Sequence, residues 1–422
     1  MKLYLRLFAA CFLASSIISC SKYASGPSFY MPDDSAVVGG SDSSGFDLSS
    51  LARMFAALPI GIDQMQEVMD AASSSAGNGY DEEYTMKQLI EAPGCGVGDS
   101  PTKAGTYTRP LRDMIAEYLA TETKAGAKDV EEYLNALSQS DLQLYWPYSE
   151  DWDGEELPII TFDPGYGSDY NYGYKIGIDA SGVHVVDSVY VDEQVAREHP
   201  VWVINTNDDA GFTPLDIYRT AVIPSSLSAV IPGFDRVSKT PSVIPGFDRV
   251  SKTPDQVGGD TETKSGPRML YLRSFTMLRH YDSWFRGGSE FFVKCGAVNG
   301  FHATTEAEMR LYYPSVTDFM VVVKRKQLGE EIPYNGIIMT DFTNQLENLA
   351  FLITEDDGGT QTSWKCSATV KVKSKSYGFE CDIPYNEKDD IVWRGQLSAS
   401  FFQEADYVSG RFGDVLISFV LE

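Results

Sequence analysis

Cys366-Ser-Ala-Thr-Val-Lys-Val-Lys373 and Tyr377-Gly-Phe-Glu-Cys-Asp-Ile383 decide how the C-terminal part of the chain folds. In the first run Cys366, Ala368, Val370 and Val372 recur every second residue, and in the second Tyr377, Phe379, Cys381 and Ile383 do the same. A period of two puts each set on one face of a half-buried strand. A turn near Lys373 to Lys375 folds the runs into an antiparallel hairpin and sets Cys366 opposite Cys381, where a cross-strand disulfide is expected.

Outward from this hairpin, similar runs recur at Met269–Leu278, Glu290–Val298, Glu308–Tyr312, Phe319–Val323, Leu349–Thr354, Gln396–Phe402 and Asp414–Leu421. That density of strands predicts an antiparallel β-sandwich over residues 268–422. Residues 221–267 read as a Pro/Gly linker, because Val230-Ile-Pro-Gly-Phe-Asp-Arg-Val-Ser-Lys-Thr-Pro241 recurs unchanged from Val243 to Pro254. Two short copies are too few for a solenoid and read as a duplication in an exposed loop. Residues 141–220 form a β-rich region, with strands at Leu142–Trp146, Pro158–Phe162, Tyr172–Ile178, Val183–Val191 and Val201–Ile204.

Upstream, the period changes to that of a helix. Leu48, Leu51, Ala52, Phe55 and Leu58 share one face, as do Ile62, Met65, Val68, Met69 and Ala72. Further helices are expected over Glu82–Glu91, from Pro110, and around Val130 to Leu137, making residues 46–140 a helical region. The fold class is therefore α+β, multidomain and mainly β: a small helical N-terminal region followed by antiparallel β-sandwich-like domains.

The 60 acids against 34 lysines and arginines give a net charge of −26. Such a balance disfavours nucleic acid and a bare anionic membrane as partners, since both select basic surfaces. The 43% hydrophobic share is ample for real cores.

At the N-terminus, Lys2 and Arg6 precede a dozen apolar residues that end in Ile17-Ile18-Ser19-Cys20. The apolar run is too short to span a bilayer and reads as a secretion signal over residues 1–19. Its end resembles the lipobox of bacterial lipoproteins. The resemblance implies cleavage before Cys20, lipidation of Cys20, and a membrane anchor held by two or three acyl chains. Ser21 after the lipidated cysteine points to the outer membrane and leaves open the periplasmic or the surface side. Residues 20–45 then form a flexible Ser/Gly/Pro tether. Four cysteines remain, Cys95, Cys295, Cys366 and Cys381, none at a metal-binding CxxC spacing.

Motifs for chemistry are sparse. HExxH, GxSxG, P-loop and GxGxxG patterns are absent, and His184, His199, His280 and His302 are scattered. Gly98-Asp99-Ser100 resembles the nucleophile block of certain esterases but sits in a Gly/Pro loop. Ser149, Asp151 and Asp153 have the first spacings of a calcium loop, whose twelfth position is Ile160 and not Glu. Glu355, Asp356 and Asp357, with Asp389 and Asp390, loosely resemble the acidic loops at one end of C2-type sandwiches, and that likeness implies calcium as cofactor. Solvated turns account for the same acids.

The last cluster is aromatic. Trp146, Tyr148 and Trp152, then Tyr166 and Tyr170 with Tyr172 and Tyr174, sit among Gly and Asp, a composition that suits a glycan or a protein partner. Filling of a sandwich core is the competing account of Trp146, Tyr172 and Tyr174. The sequence thus reads as a lipid-anchored envelope protein that binds a protein or glycan. The alternatives are an envelope hydrolase, metal- or carboxylate-dependent, and a calcium-dependent C2-like module.

Overall fold

The computed structural model describes residues 45–122, 125–165, 168–178, 184–207, 248–249, 268–403, 405 and 407–422. The signal segment, Cys20, the tether, Tyr166 and nearly all of the duplicated linker lie outside the described residues. The fold is α+β and mostly strands, N-terminal helices leading into antiparallel sheets, in two compact units.

The first unit spans residues up to Asn207 and takes in Ser283–Gly287. Its helices are α1 (Leu48–Ala57), α2 (Ile62–Gly77), α3 (Met86–Glu91), α4 (Leu111–Glu122), α5 (Ala127–Ser138) and α6 (Glu193–Glu198). Asp47 starts α1 by accepting the Ser50 amide at 2.9 Å. The strands are β1 (Glu83–Thr85), β2 (Leu142–Tyr145), β3 (Ile159–Phe162), β4 (Tyr170–Ile178), β5 (His184–Asp192) and β6 (Val201–Thr206). They form one sheet in the order β1-β2-β6-β3-β4-β5, antiparallel but for the β3–β6 pair.

Two expectations change here. The helix expected over Glu82–Glu91 starts only at Met86. Glu83 to Thr85 pair with β2, and the Thr85 hydroxyl accepts the Gln88 amide as the helix cap. Nor do the helical region 46–140 and the β-rich region expected over 141–220 stand apart: their described residues share one unit. Leu51, Phe55, Met65 and Ile115 from the helices share one core with Leu144, Trp146, Ile160 and Trp202 from the strand region. The physical reason is that an amphipathic stripe needs an opposing surface, and the sheet face supplies it. A second cluster joins Tyr145, Tyr148, Val191 and Val201 to Trp284 and Phe285, and Asn205 Nδ2 donates to the Phe285 and Arg286 carbonyls at 3.0 Å each. The segment Ser283–Gly287 is therefore part of this unit and not of the expected 268–422 domain.

The second unit holds β7 (Asp248–Arg249), β8 (Arg268–Met277), β9 (Ser289–Ala297), β10 (Ser315–Val323), β11 (Ile332–Phe342), β12 (Leu346–Glu355), β13 (Gln361–Val372), β14 (Lys375–Asn386), β15 (Asp390–Ser398), β16 (Tyr407–Phe412) and β17 (Val415–Leu421). One sheet runs β10-β9-β12-β13-β14 with β15 also on β12, the other β11-β8-β17-β16-β7. Their inner faces meet in one core, with Phe275 on Phe291 at 4.9 Å and Phe351 on Phe419 at 5.9 Å. Within the duplicated linker, Asp248–Arg249 of the second copy pairs with β16.

The strand expected over Glu308–Tyr312 does not form: Glu308 and Met309 belong to a short helix, α7 (Glu306–Met309), where Thr305 caps the Glu308 amide at 3.3 Å, and a turn follows. Likewise Gln396–Phe402 splits into the end of β15 and a helix, α8 (Ala399–Gln403). The strand β11 lacked a sequence signal because Pro333 and several register shifts break its alternation. As an edge strand it tolerates both.

Candidate functional site

The aromatic cluster separates into a core part and a surface part. Trp146 and Tyr148 are 1% and 8% exposed, so neither offers a face to a ligand, contrary to the binding role expected for them. Trp146 packs edge-on against Trp152 at 5.6 Å and Trp202 at 6.0 Å. Trp152 is half-buried, with its Nε1 donating to the Glu156 carbonyl at 2.9 Å, and the Tyr148 hydroxyl donates to Glu193 at 2.8 Å. The cause is position: Trp146 directly follows β2, whose residues are all buried between β1 and β6, and its amide donates to the Glu82 carbonyl at 3.0 Å.

Tyr170 behaves differently. It is 51% exposed, Tyr172 is 59% and Tyr190 is 48%. Tyr170 and Tyr172 are two residues apart on β4 and so share a face. Tyr190 on β5 is the register partner of Tyr172. Tyr170 stacks on Tyr190 at 5.3 Å and 24°, and Tyr172 meets Tyr190 edge-on at 6.3 Å. The Tyr190 phenol is held above its ordinary value by partial burial and then by Asp192. Beneath this face the strands pack tightly, for a Cβ on Gly173 would meet Ile159 and Val191 at 2.9 Å. The result is a three-ring platform beside a carboxylate on the two outermost strands of the sheet. Tyr190 was missed at sequence level, although a hairpin register for β4 and β5 would have paired it with Tyr172.

Of the acids expected to hold a metal, Asp151 and Asp153 are exposed and do not converge. Asp153 Oδ1 accepts the Glu155 amide at 2.8 Å and the Glu156 amide at 3.3 Å, a local turn. Glu355, Asp356 and Asp357 do meet Asp389 and Asp390 at one end of a sheet in the second unit, since Glu355 is the register partner of Asp390. Asp356 accepts Gly358 N at 3.2 Å and Asn386 Nδ2 at 3.1 Å, while Asp389 accepts Asn386 N at 2.8 Å. Burial, and then the bond shared with Asp356, push the Asp389 carboxyl up to about 6. These contacts make the Asp356–Asp389 pair a turn-forming knot.

Glu355 has other company. Among the described residues, Asp282, Glu290 and Glu355 form the group whose carboxylate oxygens lie within 4.8 Å of one another. Glu355 is 1% exposed and Glu290 7%. Nothing local in the sequence joins Asp282 and Glu290 to Glu355. An alternating row did point to Glu355, because Leu349, Phe351 and Ile353 face the core and Glu355 takes the next place.

Other chemistry resolves into structure. Asp99 takes hydrogen bonds from Ser74, Gly96 N, Asn78 and Lys103, which outweigh burial and hold it at about 2. Glu306 accepts the Tyr377 hydroxyl at 2.6 Å and Lys375 at 3.4 Å. Cys366 and Cys381 are register partners, as the hairpin required, and their Sγ atoms are 3.0 Å apart. They are thiols in this structure and not the expected disulfide, the separation exceeding a bond length of about 2.05 Å. Burial, and then the neighbouring Cys381, push the Cys366 thiol up to about 12.

No helix among the described residues is long and apolar enough to cross a membrane. No family model matches the chain, and neither does any curated protein or solved structure.

Proposed function

We propose that this chain is a lipid-anchored protein of the bacterial outer membrane that binds a glycan through the tyrosine platform of β4 and β5. The anchor rests on Ile17-Ile18-Ser19-Cys20 behind its short apolar segment. Binding rests on one observation: Tyr170, Tyr172 and Tyr190 expose about half their surface while touching each other. Exposed rings at this density are costly to leave in water and are what sugar C–H faces stack on. Asp192 beside the platform supplies an acceptor for sugar hydroxyls. The strongly acidic body suits a neutral polysaccharide better than an anionic one.

The test is retention of the purified chain on immobilised cell-envelope polysaccharide. Replacing Tyr170 and Tyr190 together by Ala should weaken retention roughly tenfold, two ring contacts being worth about 1.4 kcal/mol. Tyr407→Ala, at a 36% exposed ring on β16, serves as control and should change nothing. Equal retention by all three proteins would remove the platform as a site. In cells, Cys20→Ser should move the protein from the membrane to the soluble fraction, and persistence in the membrane would remove the anchor.

A further inference from the structure

Glu355 occupies a place that an apolar residue should hold. Along β12 the inward row Leu349, Phe351 and Ile353 is at most 1% exposed, and Glu355 continues it at the same depth. An ionised carboxylate there needs donors or a counter-charge. Its Oε1 has no hydrogen-bonding partner, and its contact with Asp282 is acid against acid. The Glu290 carboxylate completes a group whose oxygens lie within 4.8 Å of one another.

That spacing has a simple geometric meaning. Calcium binds oxygen at about 2.4 Å, so two ligands on opposite sides of one ion are about 4.8 Å apart. Three oxygens no farther apart than this fit a single coordination sphere, and a set of carboxylates alone selects a hard cation. Arg325 is 5% exposed and its Nη1 donates to the Asp282 carbonyl at 3.1 Å, so a buried guanidinium reaches the same segment. The Asp356–Asp389 pair on the same strand end differs in that backbone and Asn386 donors serve Asp356 Oδ1 and Asp389 Oδ2.

We infer that Asp282, Glu290 and Glu355 form a divalent-cation site of calcium size in the second unit. The site stands apart from the tyrosine platform, whose failure would leave it untouched. Burial first, then Asp282, Glu290 and Asp357, keep the Glu355 carboxyl far above the ordinary carboxylate range.

The test uses the full chain freed of metal by a chelator. Calcium at about a hundredfold excess over Kd should raise Tm by roughly 5 °C, and titration calorimetry should show a saturable binding heat. Glu355→Gln and Glu290→Gln should each abolish the Tm rise, while Asp153→Asn should keep it. Terbium luminescence, excited through nearby aromatic side chains, gives a second readout that does not depend on melting and should be lost in the same two variants. If the acids hold only a shared proton, calcium will leave Tm and heat unchanged and Glu355→Gln will raise the Tm of the metal-free chain. That result overturns the inference, as does a calcium response that survives Glu355→Gln.

Discussion

Glu67 in the first unit and Glu355 in the second are both withdrawn from water, at 0% and 1% exposure, yet their surroundings are opposite in kind. Glu67 sits on α2 and has a donor for each oxygen: the Tyr84 hydroxyl at 2.9 Å and the Leu111 amide, at the start of α4, at 2.8 Å. It ties two helices and a strand together and is explained by the fold. Glu355 leaves Oε1 without a donor and faces two more acids. The difference teaches that burial of a charge is not itself a functional signal. What distinguishes a site is a buried charge that the fold leaves unanswered.

The sharpest way to break this comparison is to delete the satisfied acid. Glu67→Ala strands the Tyr84 hydroxyl and the Leu111 amide in the interior and should cost about 4 kcal/mol by chemical denaturation, two unmade hydrogen bonds plus a small cavity. A loss below about 1 kcal/mol would mean that Glu67 is as unanswered as Glu355.

A somewhat smaller effect comes from pH. Burial is the main cause that lifts the Glu67 carboxyl to about 7, above its ordinary 4.5. In the unfolded chain it ionises near 4.5, so between these values the folded form binds more protons. Its contribution to stability is present below about 4.5 and is lost as pH rises through 7, by on the order of 3 kcal/mol in total. Glu67→Gln should therefore compare more favourably with the parent at pH 8 than at pH 5. Identical differences at the two values would contradict the assignment.

The smallest expected effect lies on the surface. Tyr172 is 59% exposed, and Tyr172→Ala should shift stability by less than about 0.5 kcal/mol while weakening glycan retention. A large stability loss would show that the platform is packing and not a contact surface.

Much of the fold was legible in the residues. The period of two through Cys366–Val372 and Tyr377–Ile383 led to the register in which Cys366 faces Cys381. The stripes on α1, α2, α4 and α5 led to buried helix faces. Where reading failed, the cause was specific. Glu83 to Thr85 look helical in isolation and become a strand because β2 offers an edge to pair with. A break in pattern hid β11, since Pro333 and bulges interrupt it.

The candidate sites were legible only in part. Composition drew attention to the tyrosines and to Glu355, Asp356 and Asp357, but it could not sort them. Trp146 and Tyr170 belong to one aromatic-rich stretch, and only strand position makes the first core and the second surface. Glu355 resembled the start of a solvated turn because acids follow it, whereas its own side chain continues the inward row of β12.

By itself, then, the sequence determined the class of the fold, its strand and helix faces and the acidic charge, because all of these are local patterns or sums over composition. Tertiary structure alone decided that the helices and the first sheet share one core, that Tyr190 joins Tyr170 and Tyr172, and that Asp282 and Glu290 meet Glu355. The reason is the same in each case. Periodicity fixes which way a side chain points along its own element, and strand pairing and sheet packing fix what it points at.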